Sequence, residues 1–128
     1  LISFDVVSSG YSLDELSALL DAEPSASSHA RGDIRFRDKV WKYTVWRRVM
    51  MDGGEDRLQF AWEELMRFIE NTTAALLNLK QLEPGVVFLL NVGVIASTAT
   101  TTVQLPGSVL IALGKVEGGI EITTYPAE

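Results

Sequence analysis

"VVFLLNVGVIAS", residues 86–97, is the stretch on which the fold turns. Apolar residues fill both parities of this run, the pattern of a strand covered on both faces, and its β-branched content fits a central position in a sheet. Gly93 interrupts it and points to a bulge or a close backbone approach. Glu83-Pro84-Gly85 supplies the turn that leads in. Downstream, "STATTTVQL" (97–105) reads as a polar turn followed by an antiparallel partner. "PGSVLIALG" (106–114) has the length of a short helix ending at Gly114. "GGIEITTY" (118–125) then alternates, with Ile120 and Ile122 on one face and Glu121, Thr123 and Tyr125 on the other.

Upstream of the turn the period changes to that of a helix. Leu58, Ala61, Trp62, Leu65, Phe68, Ile69 and Thr72 form one stripe, and Glu63, Glu64, Arg67 and Glu70 lie outside it. The β-branched pair Thr72-Thr73 weakens helix propensity, so a break near residues 71–73 is expected. At the start of the chain, "ISFDVVS" (2–8) reads as a strand closed by Gly10. "SLDELSALLDAEP" (12–24) opens with the capping box Ser12…Glu15, carries Leu13, Leu16, Leu19 and Leu20 on one face, and stops before Pro24.

Between these pieces lies "RGDIRFRDKVWKYTVWRRV" (31–49), with seven of the eleven basic residues of an otherwise acidic chain. Ile34 and Phe36 alternate with Arg35 and Arg37, giving a strand with a basic outer face. A turn or bulge near Asp38–Lys39 then shifts the phase, so that Trp41, Tyr43 and Val45 are expected to face the core. The order is strand, helix, strand pair, long helix, strand pair, short helix, strand. It predicts one α+β domain over residues 1–128, a two-layer sandwich with one long and two shorter helices on a mainly antiparallel sheet.

Several of these segments together resemble the bacterial domain of unknown function 4279 family. The resemblance rests on "SLDELSALLDAEPS", the loop ending in "RGD", "VWKYTV", the long amphipathic helix, "VVFLLNVGV" and "LPGSVLIALGKVEGGIEITTY". Its matching positions are Leu16, Leu20, Pro24, Gly32, Asp33, Trp41, Leu113, Gly114, Ile122 and Tyr125. It implies a fold and a bacterial source, and brings no reaction, cofactor or catalytic residue with it.

Composition removes many chemistries. A chain of 128 residues, 47% hydrophobic and 22% charged, can bury one core without a staple. With no cysteine there is no disulfide, thiolate metal site or cysteine nucleophile. No apolar run reaches the roughly 18 residues of a membrane span, and no leader pattern opens the chain, so a cytoplasmic location without membrane attachment is expected. The net charge is −6; residues 31–48 hold seven Lys/Arg against two Asp, a local +5 that leaves −11 elsewhere, which argues against nucleic acid as a partner.

His29, the only histidine, sits in the Ser-rich loop 25–33 and is expected to be solvent-exposed. The adjacent pairs Asp14-Glu15, Glu55-Asp56 and Glu63-Glu64 cannot face each other as a catalytic dyad would. No nucleophile elbow, phosphate loop or dinucleotide fingerprint is present. These residues point away from an enzyme, and no metal or cofactor is expected.

The basic stretch carries the candidate binding residues, Arg31, Arg35, Arg37, Lys39 and Trp41, which could grip an anion or an acidic partner. The bland alternative is that the cations decorate an edge strand and balance the acidic helices. The functional expectation is a non-catalytic protein-interaction module, immunity-protein-like, that meets a basic partner with its carboxylates. The alternative is a small-molecule sensor with a pocket between helix and sheet near Gly93 and Trp41. Exposed strand edges also make a homodimer an expectation.

Overall fold

The structure, a computed structural model, describes residues 1–36, 39–53, 57–96 and 102–126. Along the chain the elements are β1 (Ile2–Ser8), α1 (Leu13–Leu20), β2 (Ile34–Phe36), β3 (Lys39–Val40), β4 (Thr44–Met51), α2 (Leu58–Leu82), β5 (Val87–Ala96), α3 (Gly107–Lys115) and β6 (Gly119–Pro126). Four strands make the main sheet in the order β4-β1-β5-β6, and β2 and β3 pair separately as a small hairpin. β1 is antiparallel to both of its neighbours, whereas β5 and β6 are parallel. A parallel pair needs a crossover, and α3 supplies it. The chain is therefore an α+β two-layer sandwich with one long and two shorter helices.

All three helices pack on one face of the sheet. The register sets Phe4 opposite Leu90 and places Val6 between Phe88 and Trp46. These five side chains are buried against Leu16 and Leu20 of α1, Leu65, Ile69, Leu76 and Leu79 of α2, and Val109 and Leu113 of α3. Phe68 closes the aromatic part of this layer, 5.6 Å from Phe4 and 5.8 Å from Trp46 between ring centroids. At the head of α1 the capping box is complete: Glu15 N–H donates to Ser12 Oγ, and Ser12 N–H donates to Glu15 Oε1.

Four details differ from the sequence reading. The inward parity of β4 belongs to Thr44 and Trp46, both buried, while Tyr43 is exposed and Val45 points to the other face. Pairing with β1 decides this, because Ser8 and Val6, the partners of Thr44 and Trp46, lie on the core side. α2 runs unbroken through residues 71–73: Thr72 Oγ1 donates to Phe68 O at 2.7 Å and Thr73 Oγ1 to Ile69 O at 2.6 Å, so both hydroxyls are satisfied within the helix. Finally, β5 is covered by helices on one face only; Val87 and Ile95, of the other parity, are exposed. The antiparallel partner expected over 97–105 falls partly outside the described residues, 102–106 carry no regular structure, and β5 pairs instead with β6.

Gly93 is the close approach that its place in the strand suggests. Its N–H donates to Leu1 O at 2.8 Å, and a Cβ there would lie 3.3 Å from Tyr125 Cε2 and 3.4 Å from Leu1 Cβ. The edge of β4 is covered by residues 25–31. Ser25 N–H donates to Arg47 O, His29 and Val45 exchange both backbone bonds at 2.9 and 2.7 Å, and the hydroxyls of Ser28 and Ser25 take Arg47 N–H and Val49 N–H.

Candidate functional site

The basic stretch separates into different jobs. Arg31 donates its guanidinium Nη1 to Ser9 O at 2.8 Å and its backbone N–H to Thr44 Oγ1, tying the loop to the end of β1. Arg48 donates to Glu23 O at 2.8 Å and lies 6.0 Å over the Phe68 ring. Trp41 stacks on His29 at 4.3 Å with the rings 15° apart, and its backbone exchanges bonds with Gly32 and Asp33. His29 is accordingly half-buried at a sheet edge rather than free in a loop. Arg35 and Lys39 belong to the β2–β3 hairpin, whose backbone follows Arg31 and precedes Trp41, and Arg37 lies outside the described residues. Gly32 N–H donating to Trp41 O and Trp41 N–H donating to Asp33 O bring Arg31 and Trp41 to the base of that hairpin.

Arg47 does something the sequence reading missed. It is the outward neighbour of Trp46 and meets Asp5 across the β1–β4 pair. Its Nε and Nη2 donate to Asp5 Oδ1 and Oδ2 at 3.0 and 2.9 Å, and the carboxylate also receives Ser3 Oγ–H and Asn91 Nδ2–H. Asp5 and Ser3 are buried on the helix-free face of the sheet. The hydrogen bond to Asp5, with the charge of that carboxylate behind it, raises the Arg47 pKa above its ordinary value, and burial opposes the rise. With four donors on one carboxylate this network is saturated, which leaves Asp5 no lone pair aimed at a substrate. The signal was there to read: a lone aspartate in an apolar strand demands a cation, and the opposing strand holds one.

A different arrangement lies on the helix layer. A cavity of about 330 Å³ opens between α2 and the start of α3, lined by Gln59, Trp62, Glu63, Met66, Arg67, Glu70, Pro106 and Ser108. Trp62 and Met66 make its apolar floor. Glu63 and Glu70 are seven residues apart, two turns along the same stripe, so their carboxylates flank that floor. Arg67 lies between them in sequence but pairs with Glu64 through Nη1 at 2.5 Å. Among the described residues neither Glu63 nor Glu70 forms an ion pair. The groove therefore presents Glu70 and Glu63, whose Oε1 accepts Gln59 Nε2–H at 3.4 Å, over an aromatic floor with no ion pair to either among the described residues, a setting for a cationic side chain.

A second cavity, of about 520 Å³, lies at the end of the sheet where β1 begins and β5 ends. Leu1, Ile2, Met51, Leu58, Trp62, Val92, Val94, Ile95 and Val103 line it, with Thr102 and Gln104 at its polar side. Gly93 belongs to this cavity, as expected; Trp41 does not, because it precedes Thr44, the partner of Ser8 at the other end of β1. Among the described residues no group of three His, Asp or Glu side chains could hold a metal ion. None of the described helices is long and apolar enough to cross a membrane.

Comparison of the chain with protein-family models, with curated proteins and with solved structures finds no match.

Proposed function

We propose that the chain is a non-catalytic protein-interaction module that receives a basic partner in the groove between α2 and α3. The observation that carries this reading is the pair Glu63 and Glu70, which form no ion pair among the described residues and stand on either side of Trp62 and Met66, while Arg67 of the same groove is paired with Glu64. A lysine or arginine entering there would meet two carboxylates and an aromatic surface in one place, and the acidic remainder of the molecule would steer it in. The role that fits this chemistry and this size is immunity-like: masking a basic protein in a bacterial cytoplasm. The resemblance to the domain of unknown function 4279 family, itself a proposal, adds a fold and no reaction.

The test is titration with an amphipathic lysine-rich peptide, followed by calorimetry and by backbone chemical-shift mapping. Shifts are expected to centre on Glu63 to Glu70 and Ser108, and Glu63→Lys with Glu70→Lys should weaken binding at least tenfold, about 1.4 kcal/mol. Binding that survives the double substitution, or maps elsewhere, overturns the reading.

A second reading has its own observation, the apolar cavity of about 520 Å³ beside Gly93. It lies between helix and sheet and has the size and lining of a small-molecule site, so we propose as the alternative a sensor of an apolar ligand. Thermal shifts across an acyl and aromatic compound panel test it: a rise abolished by Val92→Trp supports it, and a flat panel removes it.

A further inference from the structure

The two edges of the main sheet are treated differently. Residues 25–31 cover the edge of β4, whereas the second edge of β6 meets no strand among the described residues. Edge strands are usually blunted by lysine, by an internal proline, by a bulge or by shortness. β6 has eight residues, one charge at Glu121, no lysine, a regular register with β5, and a proline only at its last position. It carries its apolar side chains in the open: Ile120 and Ile122 are 39% and 49% exposed on the helix side, and Tyr125 is 52% exposed on the other. α3 adds to this rim. At 100° per residue Leu110 lies about 200° round the helix from Ser108, so with Ser108 on the α2 groove the exposed Leu110 takes the flank turned away from α2.

We propose that β6 is a dimerisation edge at which two copies of this chain pair β6 against β6, antiparallel, about a two-fold axis perpendicular to the sheet. Such an axis joins the two sheets into one of eight strands and keeps helix face beside helix face. On the helix face Ile122 of one copy then lies directly opposite or diagonal to Ile122 of the other, with Ile120 opposite Thr124 or Pro126 and both Leu110 side chains above the seam. Opposed residues must share a face, so the register is centred on a residue. Centring it on Ile122 or Thr123 pairs seven residues of each strand and sets Glu121 opposite Thr123 or Tyr125. Only a centre on Glu121 itself would oppose the two carboxylates, and it would leave the end of the strand unpaired.

The ladder supplies about seven main-chain hydrogen bonds, within the usual range of roughly 10 ± 5 for a specific interface. A second copy is the occupant that this edge fits, because either seven-residue register keeps the two Glu121 carboxylates from facing each other and brings the two exposed Ile122 side chains together. It also closes: with β4 covered in each copy, the eight-stranded sheet offers no further edge and assembly stops at two.

The experiment is sedimentation and light scattering of the unchanged chain over a concentration series, alongside Ile120→Lys/Ile122→Lys. Twice the chain mass for the unchanged protein, falling to one chain mass in a variant that keeps the parent's circular-dichroism spectrum and a cooperative melt, is the expected result. A monomer throughout, or a dimer that the variant leaves intact, overturns the proposal. Should the variant fail to fold, hydrogen exchange of the unchanged chain decides: protection of the 119–125 amides must rise with concentration, and a flat profile overturns the seam. Glu63→Lys/Glu70→Lys is expected to remain dimeric, which separates this edge from the groove.

Discussion

Asp5 holds Arg47 by two parallel hydrogen bonds of 3.0 and 2.9 Å across the β1–β4 pair, on the sheet face that no helix covers. Asp5 is 3% exposed, so the pair is a buried one whose two members depend on each other. Removing one partner strands the other charge, which costs about 3–5 kcal/mol, whereas replacing both by apolar residues of similar volume is often near neutral. Asp5→Ala and Arg47→Ala are each expected to lose about 3 kcal/mol in urea denaturation, and Asp5→Leu/Arg47→Met to lose far less than their sum. The raised Arg47 pKa gives the sign of the pH dependence: its contribution is fully present below the ordinary arginine value of the unfolded chain and is lost only as pH rises through the still higher folded value. Stability should therefore show no step from Arg47 between neutral pH and pH 10.

The phase of β4 can be tested by truncating aromatics on either side of it. Trp46 is fully buried and donates its indole N–H to Ser17 Oγ at 3.1 Å, while Tyr43 is 51% exposed. Trp46→Ala is expected to cost about 3–5 kcal/mol and Tyr43→Ala to stay within about 0.5 kcal/mol. Trp41→Ala should fall between, at about 1 kcal/mol or somewhat more, because it is half-buried and loses its ring stack on His29. The reverse order in thermal melts would restore the opposite phase.

That phase is where the sequence was hardest to read. Periodicity located α1, α2, β1 and β6 because each carries one apolar stripe or one alternation with clear turn residues around it, and the length of the segment from Pro106 to Gly114 located α3. "WKYTVWRR" has aromatics on both parities, so alternation alone cannot choose between them, and the choice comes from pairing with β1. The candidate site was legible only as charge. Glu63 and Glu70 were visible as a solvated stripe, but the groove needs Pro106 and Ser108 some 40 residues on, brought there by the crossover that follows β5. Arg67 pairing with Glu64 rather than bridging Glu63 and Glu70 is a rotamer choice that no spacing rule supplies.

Glu83, just past α2, fastens the loop between β1 and α1. Its Oε1 accepts Ser8 Oγ–H and Gly10 N–H, both at 2.8 Å, while Oε2 is buried without a partner among the described residues. Glu83→Ala leaves two donors unpaired and is expected to cost about 1–3 kcal/mol, with faster hydrogen exchange at residues 9–12. Gly10→Ala attacks the same clamp from the other side, since its Cβ would come within 2.9 Å of Glu83 Oε1. The two substitutions share one contact, so the double variant should be less destabilised than their sum. Additive losses would mean that the loop is held elsewhere.

Substituting Arg31, Arg35, Arg37 and Lys39 together separates an anion site from a charged edge. Arg31 already spends its Nη1 on Ser9 O, and Trp41, which would complete an aromatic-cationic grip, is stacked on His29. If the four cations only offset the acidic remainder, changing all four to alanine moves the net charge from −6 to −10 and deepens the field that draws in a basic ligand. Binding of the lysine-rich peptide is then expected to tighten by about 0.5 kcal/mol, roughly twofold, at low salt and to return to the parent value when salt screens the field. Weaker binding at all salt concentrations would make the hairpin part of the docking surface and would extend that surface from the α2–α3 groove to the far end of the sheet.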